Sequence, residues 1–334
     1  MSIITNPITL PLSKFLKSIT TLIGIVRIND TIGVSDIVNE LVDSCRIGNV
    51  EFGKGIIYTF KQALLEVKDL AENTSPFTLN KPNMGQETII IDKYKYIPIS
   101  LTETLNRDAF LEGGIANEFL SFCMTLMSDT AQFQLFDECN KMYQDWEPKQ
   151  TTQIIEVPQL DTTNLTGREL NEALLFNSNS MAKIMRKTVN NMKVPNSKFT
   201  DIAEFTDVND GQTKKVISAL KNDDLKLVMN DKYYTEFMAN SLASLFHSEK
   251  IGEMIPGKKF CLLPEDSMAT KNELVMGWLS DRQKFALCDF YKVSASIYNP
   301  ANLYTNTFYH YSYGIGVFEH APGVVFKAKI IAGK

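Results

Sequence analysis

The period of apolar and polar positions changes several times along the chain, and each change predicts an element. From Leu12 to Val26, Phe15, Leu16, Ile19, Leu22, Ile23 and Val26 recur at helical spacing after Ser13, a residue type that caps helices. An amphipathic helix on an amino-terminal arm is expected there, and a second, short one over Ser35–Leu41. The pattern then turns to β-branched and aromatic runs, Ile56–Phe60 and Glu87–Leu101. The segments Glu72–Phe77 and Asn80–Gly85 between them carry two prolines and a glycine, which is turn chemistry. The expectation is one long two-stranded hairpin with an irregular tip, too long to bury both faces on its own domain.

Ile115–Trp146 runs without proline or glycine until Glu147-Pro148 and predicts a single long helix. Its buried stripe is expected at Phe119, Phe122, Cys123, Leu126, Phe133, Phe136, Cys139, Met142 and Tyr143, interrupted near Asp129 and Thr130. A short strand at Gln153–Val157 and a helix at Arg168–Met192 follow, the helix with Leu170, Leu174, Met181, Ile184, Met185 and Met192 inward. Further on, strands are expected at Leu225–Met229, Phe260–Leu263, Phe285–Val293, Thr307–Phe318 and Val324–Ile331, and a helix at Tyr233–Phe246. Helices and strands are segregated rather than alternating, so the class is α+β.

Charge and cysteine usage narrow the function classes. The net charge is −5 over 334 residues, which gives no general field toward nucleic acid or an anionic membrane. The five cysteines stand singly, without CxxC or CxxH spacing, so a disulfide framework or a zinc site is not indicated and reduced thiols are expected. The amino end lacks the basic region of a signal peptide, and no apolar run approaches a membrane span; a soluble protein without membrane partners is the expectation.

Chemical motifs are sparse. No phosphate-binding loop or nucleophile elbow occurs. Gly314-Ile315-Gly316 and Gly53-Lys54-Gly55 are isolated pairs in or beside strands, where glycine marks a bulge or a close backbone approach. His310 could serve a soluble enzyme as a general base, but no spaced carboxylate or nucleophile accompanies it, which favours a half-buried packing histidine. Asp207–Gly211 has the composition of a calcium loop in the wrong register, and a tight Asp-Gly turn accounts for it better. Lys183, Arg186 and Lys187 share a helix and read as a solvated face. The tail aromatics Tyr291, Tyr298, Tyr304, Phe308, Tyr309, Tyr311 and Tyr313 fit a sheet core or a subunit contact better than a base-stacking platform, because few cations lie between them. Catalytic, cofactor and metal residues are therefore assigned to none.

The order of arm, long hairpin, long helix, mixed middle and closing strands resembles the tailed-bacteriophage major capsid proteins of the Hong Kong 97 fold. The strings Leu287-Cys288-Asp289-Phe290, Ile297-Tyr298-Asn299-Pro300-Ala301-Asn302-Leu303-Tyr304 and Tyr309-His310-Tyr311-Ser312-Tyr313 are similar to the end of short-tailed, podovirus-type phage capsid proteins. The resemblance implies an amino-terminal arm at 1–50, an E-loop hairpin at 51–101 and a peripheral domain with its spine helix at 102–158. An axial domain at 159–285 and return strands of the peripheral domain at 286–334 complete it. It implies pentamers and hexamers in an icosahedral shell around packaged DNA, assembled in the host cytoplasm into a virion, with a separate scaffolding protein and a portal. Inter-subunit contact is expected at the hairpin tip: Ser75, Pro76, Phe77, Asn80, Pro82, Asn83 and Gly85. An encapsulin-like nanocompartment on the same fold, or a soluble enzyme using His310, would be the alternatives.

Overall fold

A computed structural model describes residues 34–49, 56–62, 84–102, 115–206, 211–236, 259–263 and 274–331. The chain divides into two units, Met1–Asp36 and Ile37–Lys334, and the features below belong to the second. The expected helix at Leu12–Val26 lies outside the described residues, as does the Tyr233–Phe246 helix beyond residue 236.

The elements in chain order are α1 (Asp36–Cys45), β1 (Arg46–Asn49), β2 (Ile56–Gln62), β3 (Met84–Ile90), β4 (Lys93–Thr102) and α2 (Ile115–Asp145). Then come β5 (Ile154–Leu160), α3 (Gly167–Met192), β6 (Glu204–Thr206), β7 (Thr213–Lys215), β8 (Leu225–Asn230) and β9 (Lys259–Leu263). The last are β10 (Val275–Asp281), β11 (Phe285–Asn299), β12 (Tyr304–Val317) and β13 (Gly323–Ile331). Two sheets organise them. One has four strands in the order β1-β11-β12-β4, the other five in the order β5-β13-β10-β8-β9, and β2-β3 and β6-β7 form separate pairs.

The five-stranded sheet is covered on both faces. Val228, Val275, Trp278 and Val325 pack with α1 and α2, through Leu41, Val42, Cys45, Ala131, Leu135, Cys139 and Tyr143. Leu227, Met229, Met276, Leu279, Val324 and Phe326 pack with Met181, Met185, Val189 and Met192 of α3. Double coverage explains why β8 and β10 are continuous apolar runs in sequence, buried along nearly their whole length.

The Glu87–Leu101 run, expected as one strand of the hairpin, divides at Ile91-Asp92. β3 pairs antiparallel with β2, Ile56 opposite Ile90, whereas β4 pairs with β12, Lys93 opposite Tyr313 and Thr102 opposite Tyr304. The physical reason lies in the alternation of β4. Lys93, Lys95, Ile97 and Ile99 are half-buried and Leu101 is buried, while Tyr94, Tyr96, Pro98 and Ser100 are exposed. The alternation shows one covered and one open face, and the place of β4 at the edge of the β1-β11-β12-β4 sheet accommodates Pro98, which there need not cost an inner ladder bond. The expected return strands also part company: β11 and β12 stay in the four-stranded sheet, but β13 pairs with β10 and β5 in the other.

The α2 stripe differs in part from its expected composition. Cys123, Cys139 and Tyr143 are buried as expected, but Met127, Ala131 and Leu135 join them, and Leu126 and Phe133 stay exposed. The buried apolar positions 123, 127, 131, 135, 139 and 143 recur every four residues, with Asn140 buried beside them, a stripe that the large phenylalanines obscure in sequence. All five cysteines are free and buried.

Candidate assembly surfaces

Three constructions set up the surface. The first is the crossing between the sheets. The chain passes from β10 to β11 through residues 282–284 and returns from β12 to β13 through 318–322, and the two passages hydrogen-bond to each other. Phe318 N–H donates to the Lys284 carbonyl at 2.8 Å, and Asp281 N–H to the Pro322 carbonyl at 2.9 Å. The Lys284 ammonium, fully buried, donates to Asp201 Oδ2 at 2.7 Å and to the Ala321 carbonyl at 2.9 Å, and it lies 4.7 Å from the Trp146 ring centre. Trp146 Nε1–H donates to the same Asp201 oxygen at 3.1 Å. Burial pushes the Lys284 pKa down, and Asp201 opposes that shift without cancelling it. Removing one partner of a buried ion pair with these added hydrogen bonds leaves the other charge uncompensated and costs much.

The second construction seats the hairpin. Glu87 on β3 accepts from the Glu319 N–H at 2.8 Å and the His320 N–H at 3.4 Å, and its carboxylate also pairs with His320 Nδ1. Strand β3 and Ile91 cross directly over Gly314 and Gly316 of β12. A Cβ on Gly314 would stand 2.8 Å from the Ile90 carbonyl oxygen, and one on Gly316 would stand 3.1 Å from Ile89 Cδ1. The Gly-Ile-Gly pair is thus a close backbone approach, as its place in a strand suggested. Ile89 closes the joint against Ala286, Phe318 and Ala321.

The third is the four-stranded sheet itself, whose register assigns every side chain of its outer half to a face. Tyr311 and Tyr313 face α2 and are buried, with rings stacked 6.0 Å apart. On that side Lys93 donates to Glu138 of α2 at 2.5 Å, and Tyr311 donates to Gln134. Burial works against the Glu138 carboxylate, but Lys93 and then Lys95 outweigh it and hold its pKa below the usual glutamate value.

The opposite face carries Tyr94, Tyr96, Pro98, Tyr291, Val293, Ile297, Phe308 and His310, which the pairings Tyr291–Ser312–Tyr94 and Val293–His310–Tyr96 align across three strands. Tyr94, Tyr96, Val293 and Ile297 are 52–65% exposed. His310 is half-buried, with its ring 5.9 Å from Tyr96 and 6.0 Å from Phe308. The tail aromatics divide between the core, where Tyr311 and Tyr313 are buried, and an open face, where Tyr291 and Tyr298 are exposed. Leu126 and Phe133 of α2 add exposed apolar surface.

Of the expected tip residues, Ser75, Pro76, Phe77, Asn80, Pro82 and Asn83 lie outside the described residues, and Gly85 pairs with Lys61 in the β2-β3 ladder. Gly53-Lys54-Gly55 and Asp207–Asp210 also lie outside; Gly211, two residues before β7, has φ +69°. Sequence reading missed the aromatic face because Tyr94 and Tyr96 lie some two hundred residues from their sheet neighbours. The signal available was the alternation of Lys93-Tyr94-Lys95-Tyr96-Ile97, which is that of a strand with one covered side.

A hairpin seated at its root, a long helix under a four-stranded sheet and a doubly covered five-stranded sheet form the Hong Kong 97-type fold of phage capsid subunits. Solved structures share it. The capsid of Staphylococcus phage Andhra matches with a TM-score of 0.57 at 9% identity, over 84% of this chain and 82% of that one. The capsid of cyanophage P-SCSP1u matches with a TM-score of 0.53 at 11% identity, over 86% and 87%. A chain in the structure of the head fiber and inner core protein gp22 of native bacteriophage P68 matches with a TM-score of 0.55 at 11% identity, over 85% and 83%. No curated protein matches the chain in sequence. The model of the Phi29-like phage major capsid protein family matches residues 15–327, and the chain belongs to that family. It is a structural protein of the phage virion, and many copies of it build the capsid shell.

Proposed function

We propose that the chain forms pentamers and hexamers of an icosahedral shell around the phage genome, and that the open aromatic face of the four-stranded sheet is where neighbouring subunits meet. The observation that carries this is the alignment of Tyr94, Tyr96, Val293 and Ile297 on one face, each more than half exposed. An apolar patch of this kind on a shell-forming protein marks an interaction surface. The hairpin β2-β3 is the E-loop in this reading, anchored by Glu87 and reaching a neighbour with the tip from Ser75 to Gly85. The four-stranded sheet with α2 is the peripheral domain, and the five-stranded sheet with α3 the axial domain. A separate scaffolding protein and a portal complete the particle, which assembles in the host cytoplasm. The role is mechanical and not catalytic, a reading supported by the aromatic surroundings of His310. Family membership favours this function over a nanocompartment.

Electron microscopy of the purified protein tests it: closed shells are expected, and a persistent monomer or dimer under all assembly conditions overturns it. Replacing residues 73–85 by a Gly-Ser linker should leave a folded subunit that fails to form shells. Normal shells from that variant overturn the hairpin assignment.

A further inference from the structure

Helix α3 has two unlike faces. One buries Met181, Met185, Thr188, Val189 and Met192 against the five-stranded sheet. The other exposes Lys183, Arg186, Lys187, Asn190 and Asn191, which with Ala182 line an open groove of about 580 Å³. Between Glu172 and Asp201 the chain carries Lys183, Arg186, Lys187, Lys193 and Lys198 and not one acidic residue, in a protein whose net charge is −5.

A solvated helix face ordinarily mixes charges, since opposite signs four residues apart stabilise by a few tenths of a kcal/mol and like signs cost as much. The start of α3 obeys this, with Arg168 donating to Glu172 at 2.7 Å. The basic face does not. Among the described residues no carboxylate pairs with Lys183, Arg186 or Lys187, which stand at i, i+3 and i+4. The helix dipole does not account for them either, because its effect is confined to the last turn and α3 ends at Met192. What remains is an uncompensated cationic stripe whose neighbours on the same face are amides. From Lys183 to Asn190 it rises about 10 Å along the helix, the length of about three backbone charges on one DNA strand.

We propose that this face binds the phosphate backbone of duplex DNA, with Lys183, Arg186 and Lys187 on phosphates and the Asn190 and Asn191 amides donating to phosphate oxygens. The proposal rests on the shell reading and adds to it a partner surface, the part of the subunit that meets the genome. Binding there is charge-driven and blind to sequence, weak for one subunit and multiplied by copy number in a shell.

The test uses the full-length unassembled subunit and a fluorescent random-sequence duplex, titrated over a range of salt, beside a poly-glutamate peptide as the competing acidic partner. The combined variant Lys183→Gln, Arg186→Gln, Lys187→Gln should weaken duplex binding at least about tenfold and reduce the slope of log K against log salt by about 3, near one per lost phosphate contact. Lys187→Gln alone should reduce it by about 1. A control variant, Lys141→Gln with Lys329→Gln, removes two surface cations paired elsewhere and should change the slope little. An unchanged slope in the combined variant, or tighter binding of the wild-type chain to poly-glutamate than to the duplex, overturns the proposal. Shells formed normally by a variant that has lost duplex binding uphold both readings. Shells formed normally by a wild-type chain that binds no duplex overturn this proposal and leave the shell reading intact.

Discussion

The longest strands of this subunit, β11 with 15 residues and β12 with 14, lie in the four-stranded sheet, yet it is the five-stranded sheet, with strands of 5–9 residues, that is covered on both faces within a single chain. In the five-stranded sheet, β8 and β10 are buried along nearly their whole length between α3 on one side and α1 with α2 on the other. In the four-stranded sheet, β11 changes character within one strand. Phe285–Asp289 are buried, a register shift falls between Asp289 and Tyr291, and residues 291–298 are exposed throughout. The difference separates two uses of apolar surface: the first holds the monomer together, and the second, in the function proposed above, meets a neighbour. Mutations should therefore sort by sheet, those in the first unfolding the subunit and those in the second sparing the subunit while blocking the shell.

The largest effects are expected where the sheets cross. Asp201→Ala would leave the Lys284 ammonium buried without its counter-charge, and removing one partner of such a pair costs about 3–5 kcal/mol. Trp278→Ala, in the doubly covered sheet with its ring 5.6 Å from Tyr143, should cost about as much. Denaturant unfolding of the unassembled subunit measures both. Retained stability in either variant would mean that this sheet is not the core it is taken to be. Gly314→Ala comes next. Its new methyl would meet the Ile90 carbonyl oxygen at 2.8 Å, which is backbone and cannot turn aside, so a loss of about 1–3 kcal/mol is expected. Hydrogen exchange should localise that loss to β3 and the middle of β12.

How much of this was legible beforehand follows from whether the determining contact is near or far in sequence. The Gly-Ile-Gly approach, the strands of the tail and the extent of α2 could be read from local pattern. The partner of β4, the transfer of β13 to the other sheet and the step-of-four stripe of α2 could not, because each depends on what packs opposite. The buried lysines were the least legible of all, since lysine reads as surface. Lys226 is fully buried with its ammonium 3.2 Å from the Ser44 carbonyl and 3.7 Å from Cys45 Sγ, and 5.3 Å from the Tyr143 ring centre. The candidate site was half visible: the tail aromatics stood out, but their division between core and open face required the register.

Lys226 also provides a test of the core by pH. A hydrogen bond from the Cys139 thiol, then the Lys226 charge with Ser44 and Tyr143, outweigh burial and bring the Cys45 pKa from 9.0 to about 6. The unfolded thiol titrates at its ordinary value, so the native state holds fewer protons between the two values and stability rises with pH across that window. This contribution is fully present above pH 9.0 and is lost as pH falls through about 6. The slope is bounded by about 1.4 kcal/mol per pH unit for one proton. In Cys45→Ser the slope should flatten, by chemical denaturation of the unassembled subunit at a series of pH values; the same slope in both proteins would assign it to another group.

The smallest effect on the subunit should come from the open face, and there the contrast between the sheets is sharpest. Tyr96 is 60% exposed and Ile297 65% exposed. Replacing either by Ser removes few contacts within one chain, so unfolding should shift by no more than about 0.5 kcal/mol. If a neighbour covers the face, the same substitution removes a buried aromatic or aliphatic anchor from an interface, where such residues cost about 2 kcal/mol or more. The subunit concentration at which shells appear should then rise more than about tenfold, read by light scattering and electron microscopy on subunits already shown to be folded. Normal assembly by Tyr96→Ser and Ile297→Ser together would show that the exposed sheet face is not covered in the shell, and the contact between subunits would have to be sought on α2, at Leu126 and Phe133.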